Sequence, residues 1–281
     1  MAKKQTKLVR IKDFLKLNIR CFILGLSPSR ILGRYDGPKI LVNSHPKAGT
    51  NLIERLLINT PRLRRKLGRM LMLWDVENIE AACNKLKSIK AGQFLSSHMV
   101  YDEKIFETMK QENIKGIMVI RDVRSKIISH FKYVTYMDVT HKTHNFFRSL
   151  NGDEERINAI IDGVPNIVAS IDEELDRYSG WLNNPEILVI KFEDLVGEKG
   201  GGSKIKQQIA LEKIISFLNI PISKEQILII KSQIFSKNVR TFRSGKINQW
   251  DKYLNESQKN KIKTKAGQWL IDNGYEKDHA W

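Results

Sequence analysis

PKILVNSHPKAGTNLIERLLIN, residues 38–59, is the stretch on which the fold turns. KILV is a short apolar run of the kind that forms a buried strand, and TNLIERLLIN carries apolar residues at helical spacing. Between them lies NSHPKAGTN, a turn built on Pro46, Lys47 and Gly49. Strand, turn and helix in this order make a site for an anion: Gly49 lets the backbone come close, and the N–H groups of Ala48 to Asn51 form a nest at a helix N-terminus. Lys47 adds a positive charge, and Thr50 and Asn51 add side-chain donors. The order is not GxxxxGK[ST], because the lysine precedes the glycine.

Working outward, 93–97 (QFLSS), 116–121 (GIMVIR) and 187–192 (ILVIKF) read as further strands. Helical patterns occupy 102–113, 123–136, 167–183, 204–219, 223–233 and 255–273, while 137–166 is mixed and 234–254 irregular and basic. Strands separated by helices predict an α/β fold, a single domain with a central, mostly parallel sheet flanked by helices. Ligands then lie at the carboxyl edge of the sheet, where the loops carry Lys47, His98, Arg121, Glu193 and Asp194.

The 281-residue chain is 41% hydrophobic and 28% charged, a composition that forms a core and excludes a disordered protein. Its formal charge of +17 suits anionic partners or simply solubility. Two cysteines, Cys21 and Cys83, with no CxxC pair, make a disulfide framework or a structural zinc site improbable and fit a cytoplasmic setting. In the N-terminal segment 1–36, Leu8, Ile11, Leu15, Ile19 and Phe22 recur at helical spacing, and Lys16 and Arg20 break any run long enough to span a bilayer. A basic amphipathic helix here, over 1–26, would lie on the inner face of an anionic membrane or dock on the domain through the same stripe.

Two more stretches bear on the turn. VIRDVRSKIISHF ends a strand at Arg121 and places Ser129 about two helical turns later. Arg suits bidentate phosphate contact and Ser supplies a hydroxyl; the plain alternative is an Arg–Asp pair capping a helix. TFRSGKINQWDKYL puts Arg243 and Gly245 in a basic loop ahead of Trp250.

Together PKAGT, RDVRSKIIS and RSGKINQW, in this order, resemble the sulfotransferase family that uses 3'-phosphoadenosine 5'-phosphosulfate. The likeness runs from about Pro38 to Tyr275, within a sulfotransferase domain taken as 37–281 with a P-loop-like fold. The resemblance implies that Lys47 and the turn around Ala48, Gly49, Thr50 and Asn51 hold the 5'-phosphosulfate. It implies that Arg121 and Ser129 hold the 3'-phosphate, closed over by Arg243, Ser244 and Gly245, with Phe192 near the adenine. His98, in LSSHMV, matches the family's general base, though the lysine that often precedes it is absent. The implied reaction is in-line transfer of a sulfuryl group to an acceptor hydroxyl on a glycan, glycolipid, other alcohol or phenol, with no metal required and no nucleic acid as partner. Tyr136, His141, His144, Phe146 and Phe147, with the rest of 137–166, are the candidates to line or cover the acceptor cleft. Leu52 stands where many relatives have a tryptophan beside the adenine, and Trp74 is a candidate substitute. The competing readings are a P-loop small-molecule kinase, which requires the other lysine order and Mg²⁺-binding acids, and a non-enzymatic basic module for polyanions or membranes.

Overall fold

The computed structural model describes residues 35–72, 79–235 and 246–281. The sequence-based expectations for 1–34, for Trp74 and for Arg243, Ser244 and Gly245 lie outside these residues.

The first strand, β1 (Lys39–Ser44), leads through the turn into α1 (Thr50–Asn59). Two two-residue strands follow, β2 (Arg64–Arg65) and β3 (Leu71–Met72), then α2 (Ile79–Lys87) and β4 (Gln93–His98). Next come α3 (Glu103–Gln111), β5 (Ile114–Ile120) and α4 (Val123–Lys132), the last running into a π-helical turn, Tyr133–Met137. The stretch that reads as mixed holds two helices, α5 (His144–Ser149) and α6 (Gly152–Asp162). The chain continues with α7 (Ile171–Leu182), β6 (Ile187–Lys191), the single turn α8 (Phe192–Leu195), α9 (Lys204–Leu218), α10 (Lys224–Ile234) and α11 (Glu256–Asp272). Helix starts coincide with chemical caps: Asp102, Asp122, Ser170, Ser203, Ser223 and Asn255 each accept a backbone N–H from the first turn.

The sheet has strand order β2–β4–β1–β5–β6, with β3 also paired to β4, and its strand pairings are parallel. Both faces are covered. Ile40, Val42, Phe94, Ile117 and Val119 face α1, α9 and α10, while Leu41, Leu95, Met118 and Ile120 face α2, α3 and α7. That explains the unbroken apolar runs of β1 and β5: a strand buried on two sides has no polar face to alternate with. A third cluster joins α4, α5, α6, α7 and α11 beyond the sheet edge, around Phe131, Phe147, Ile160 and Leu270.

From β1 the chain first builds outward to β4, then crosses back to β5 and β6. The strand order therefore reverses beside β1, and a crevice opens outside the carboxyl ends of β1, β4 and β5. Arg55 of α1 helps wall it, donating from Nε and Nη2 to the Gln233 and Ile234 carbonyls at the end of α10.

Candidate active site

The turn after β1 is shaped by two left-handed residues, Lys47 (φ 69°) and Gly49 (φ 106°). For lysine this conformation costs on the order of 1–2 kcal/mol, the kind of local strain that gathers at functional sites. Gly49 is required twice over, because a Cβ there would also stand 2.4 Å from Cδ2 of Phe192. Helix α1 starts without a side-chain cap and has no acidic residue in its first turn. The positive end of its dipole is thus left for a ligand's negative charge. Gly49, Thr50 and Asn51 line a cavity of about 1370 Å³ in the crevice, together with Lys47, His98, Arg121, Ser129 and Phe192. Ala48 is fully buried beneath it, its N–H donated to the His45 carbonyl at 3.1 Å.

His98 ends β4 next to Ser44, the last residue of β1. Its Nδ1 is 2.7 Å from the Ser44 carbonyl. A carbonyl can only accept, so Nδ1 carries the proton and Nε2 keeps its lone pair. Ser44 Oγ lies 3.2 Å from the same nitrogen and 2.7 Å from Thr50 Oγ1, which ties the histidine to the turn after β1. Burial, reinforced by the Lys47 charge and opposed by the Ser44 carbonyl, lowers the His98 pKa to about 4. The imidazole is neutral at pH 7 and able to take a proton.

Arg121 is 8% exposed at the end of β5. Its guanidinium lies 4.4 Å over the Phe192 ring and donates from Nη1 to the Lys47 carbonyl at 3.2 Å, fixing the turn and the arginine together. Asp122 does not pair with it. Asp122 caps α4 and binds Arg124 through both oxygens, Nε–Oδ1 at 3.0 Å and Nη2–Oδ2 at 2.7 Å. Arg124 also meets Glu276 at 2.6 Å and lies between the rings of Trp250 and Trp281. The Arg–Asp cap considered for this motif therefore exists, but on Arg124, and Arg121 remains at the cavity. The Lys47 ammonium stands 3.6 Å over the ring of Tyr133, in the π-helical turn, a placement the sequence did not single out.

The candidates for the acceptor cleft divide. His141 lines the cavity. The others are brought elsewhere, which corrects their reading as cleft residues. Phe147 is fully buried in the third core with Phe146 packed against it. His144 is used locally, its Nδ1 2.8 Å from the Val134 carbonyl. Tyr136 is 49% exposed and donates to Asp153 at 2.5 Å. Leu52 borders the cavity while packing on the first core. Glu193 supports the site from behind: its carboxylate accepts from the Asp122 N–H and from the Tyr275 hydroxyl, each at 3.1 Å. Burial, with Asp122 nearby, pushes its pKa up to about 7.

Sequence reasoning also missed Lys126 and His130 of α4 and Glu174 and Tyr178 of α7, which gather beside the cavity. Lys126 and His130 share a helix face at i,i+4, but only the packing of α7 against that face shows it to be buried. Among the described residues there is no His/Cys/Asp/Glu group able to hold a metal ion, and no helix long and apolar enough to cross a membrane.

A family model for the sulfotransferase domain matches residues 37–274, and the chain belongs to that family. Among solved structures it is similar to mouse sulfotransferase SULT7A1 complexed with PAP, at 18% identity and TM-score 0.62, covering 85% of this chain and 87% of that one. It is also similar to retinol dehydratase in complex with androsterone and PAP, at 15% identity and TM-score 0.57, covering 85% and 82% of the two chains. Retinol dehydratase with retinol and PAP matches at 14% identity and TM-score 0.55, covering 86% and 82%. No curated protein sequence matches the chain.

Proposed function

We propose that this protein transfers the sulfuryl group of 3'-phosphoadenosine 5'-phosphosulfate to a hydroxyl of a small acceptor, by in-line displacement. The observation that carries the proposal is the tie between donor turn and base: Ser44 connects His98 Nδ1 to Thr50 at the head of α1. A proton acceptor is thereby held against an anion-binding turn, as transfer from a bound anion to a hydroxyl requires. Family membership and PAP in the related structures support the same donor.

Lys47, Thr50, Asn51 and the Gly49 amide would hold the donor's 5' end, the Ala48 N–H being already given to His45; Arg121 and Ser129 would hold its 3'-phosphate, and Phe192 would border its base. The donor supplies an activated sulfuryl group on a phosphate leaving group. His98 Nε2 takes the acceptor's proton, and the Lys47 ammonium with the turn amides balances charge growing on the departing phosphate. Androsterone and retinol in the related complexes carry hydroxyls, so alcohols are the first acceptors to screen, with glycans and glycolipids beside them.

Two variants test the roles. Lys47→Ala should lower turnover by about 10²–10³, and His98→Ala by about 10²–10⁴, with the fold retained by circular dichroism. Full activity in either variant removes its assigned role. PAP should raise Tm well above the shift given by ATP with Mg²⁺, and equal shifts would favour a kinase.

A further inference from the structure

Beyond the phosphate turn, the cavity meets an ionic cluster that the transfer chemistry does not use. Lys126 of α4 is 2% exposed and pairs with Glu174 of α7. One helical turn further along each helix stand His130 and Tyr178, so the two helices present matched residue pairs spaced i,i+4. His45 lies alongside, its ring 4.4 Å from that of Tyr178. Glu174, His130 and Tyr178 line the same cavity as His98.

Two observations point to a ligand. A buried ion pair gives little net stability, and an apolar replacement of similar volume is often as stable or more so. Lys126 and Glu174 are thus poorly explained as structural cement. In addition, two polar atoms of the cavity lining beside the pair are buried without a hydrogen-bond partner: Nδ1 of His130 and Oη of Tyr178. Each such atom costs about 1–3 kcal/mol, and a ligand with its own donors and acceptors removes that cost.

The charge at this end identifies the ligand's class. Lys126 cancels Glu174. Burial lowers the pKa values of His45 to about 3 and His130 to about 4, so both are neutral at pH 7. On the rest of this wall Asp138, Asp162 and Glu173 stand against Lys142 and Arg177. The chain's +17 is not concentrated here.

We propose that Glu174, His130 and Tyr178 form an acceptor subsite for a neutral, hydroxyl-rich molecule such as an uncharged sugar headgroup, binding a second hydroxyl while the first lies at His98. This rests on the sulfotransferase reading. The subsite disfavours anionic glycans, which the net charge alone would suggest, and acceptors with a single hydroxyl leave its polar atoms unsatisfied.

The test uses the full chain, the phosphosulfate donor and three acceptors of similar size: an alkyl glucoside, the matching alkyl glucuronide and a cycloalkyl alcohol with one hydroxyl. The glucoside should be sulfated with kcat/KM at least about tenfold above the other two, the worth of one well-made buried hydrogen bond. Lys126→Met with Glu174→Leu removes both charges together, and His130→Phe keeps the ring volume. Each should raise KM for the glucoside while leaving turnover of the single-hydroxyl alcohol and the PAP-induced Tm shift unchanged. A wild-type preference for the glucuronide or the single-hydroxyl alcohol overturns the subsite, as does an unaltered glucoside preference in both variants. No transfer to any acceptor, together with no PAP shift, overturns the sulfotransferase reading and the subsite with it.

Discussion

At the scale of single residues, Gly49 is the position of the turn with least freedom. Its left-handed backbone and its 2.4 Å clearance problem with Phe192 act together. Gly49→Ala should therefore displace Phe192 and, through the Phe192 ring, the Arg121 guanidinium stacked on it. The expected result is PAP binding weakened by roughly five- to a hundredfold, from about 1–3 kcal/mol of backbone strain, read by calorimetry; unchanged affinity would mean that the turn relaxes without touching the arginine. Lys47, His98 and Arg121 stand out in the sequence because each lies where an apolar run stops, whereas Phe192 and the role of His98 follow only from the family resemblance. Lys126 was not legible. A lysine within VRSKIISHF reads as solvated, and only the packing of α7 across α4 turns it inward.

Among the elements, the principal strands and long helices followed from apolar period and capping residues. What escaped had no period to read. β2 and β3 are two residues each, yet β3 sets Met72 beside His98. α5 and α6 open without side-chain caps, so 137–166 reads as mixed. Phe146 and Phe147 were assigned to the cleft as aromatics in a loop, and the helix they belong to turns them to the core. The start of α4 shows the reverse case, a motif whose partner was visible but misassigned. Asp122 holds Arg124, and Arg124 ties α4 to the C-terminal segment through Glu276, Trp250 and Trp281. Arg124→Ala leaves two carboxylates without their cation. It should cost about 3–5 kcal/mol and lower Tm by roughly 10 °C for a chain of this size. Calorimetry that finds less than a 2 °C change, on the order of 1 kcal/mol, would place the anchoring of that segment elsewhere.

For the molecule as a whole, the net charge was legible but said little about the site, where carboxylates offset the cations. The buried histidines matter more. His45, His98 and His130 have folded pKa values of about 3, 4 and 4, below the ordinary 6.5. The unfolded chain therefore binds more protons than the native one once pH falls below 6.5, and native stability declines down to the folded values. Glu193, raised to about 7, works in the opposite direction between 4.5 and 7 and offsets one of the three protons. Tm should fall steadily between pH 6.5 and 4.5, with a slope of about 1.4 kcal/mol per pH unit for each uncompensated proton. A flat profile would show that these rings are hydrated in solution. The strand order has a separate consequence, for divisibility. β1 is the earliest strand described and also the central one, flanked by β4 and β5. A fragment ending before β5 would contain the whole Lys47–Gly49 turn, yet its central strand would have an open edge and the apolar KILV would be uncovered on that side. The turn cannot be excised as a portable anion-binding module, because its geometry exists only once most of the polypeptide has come together.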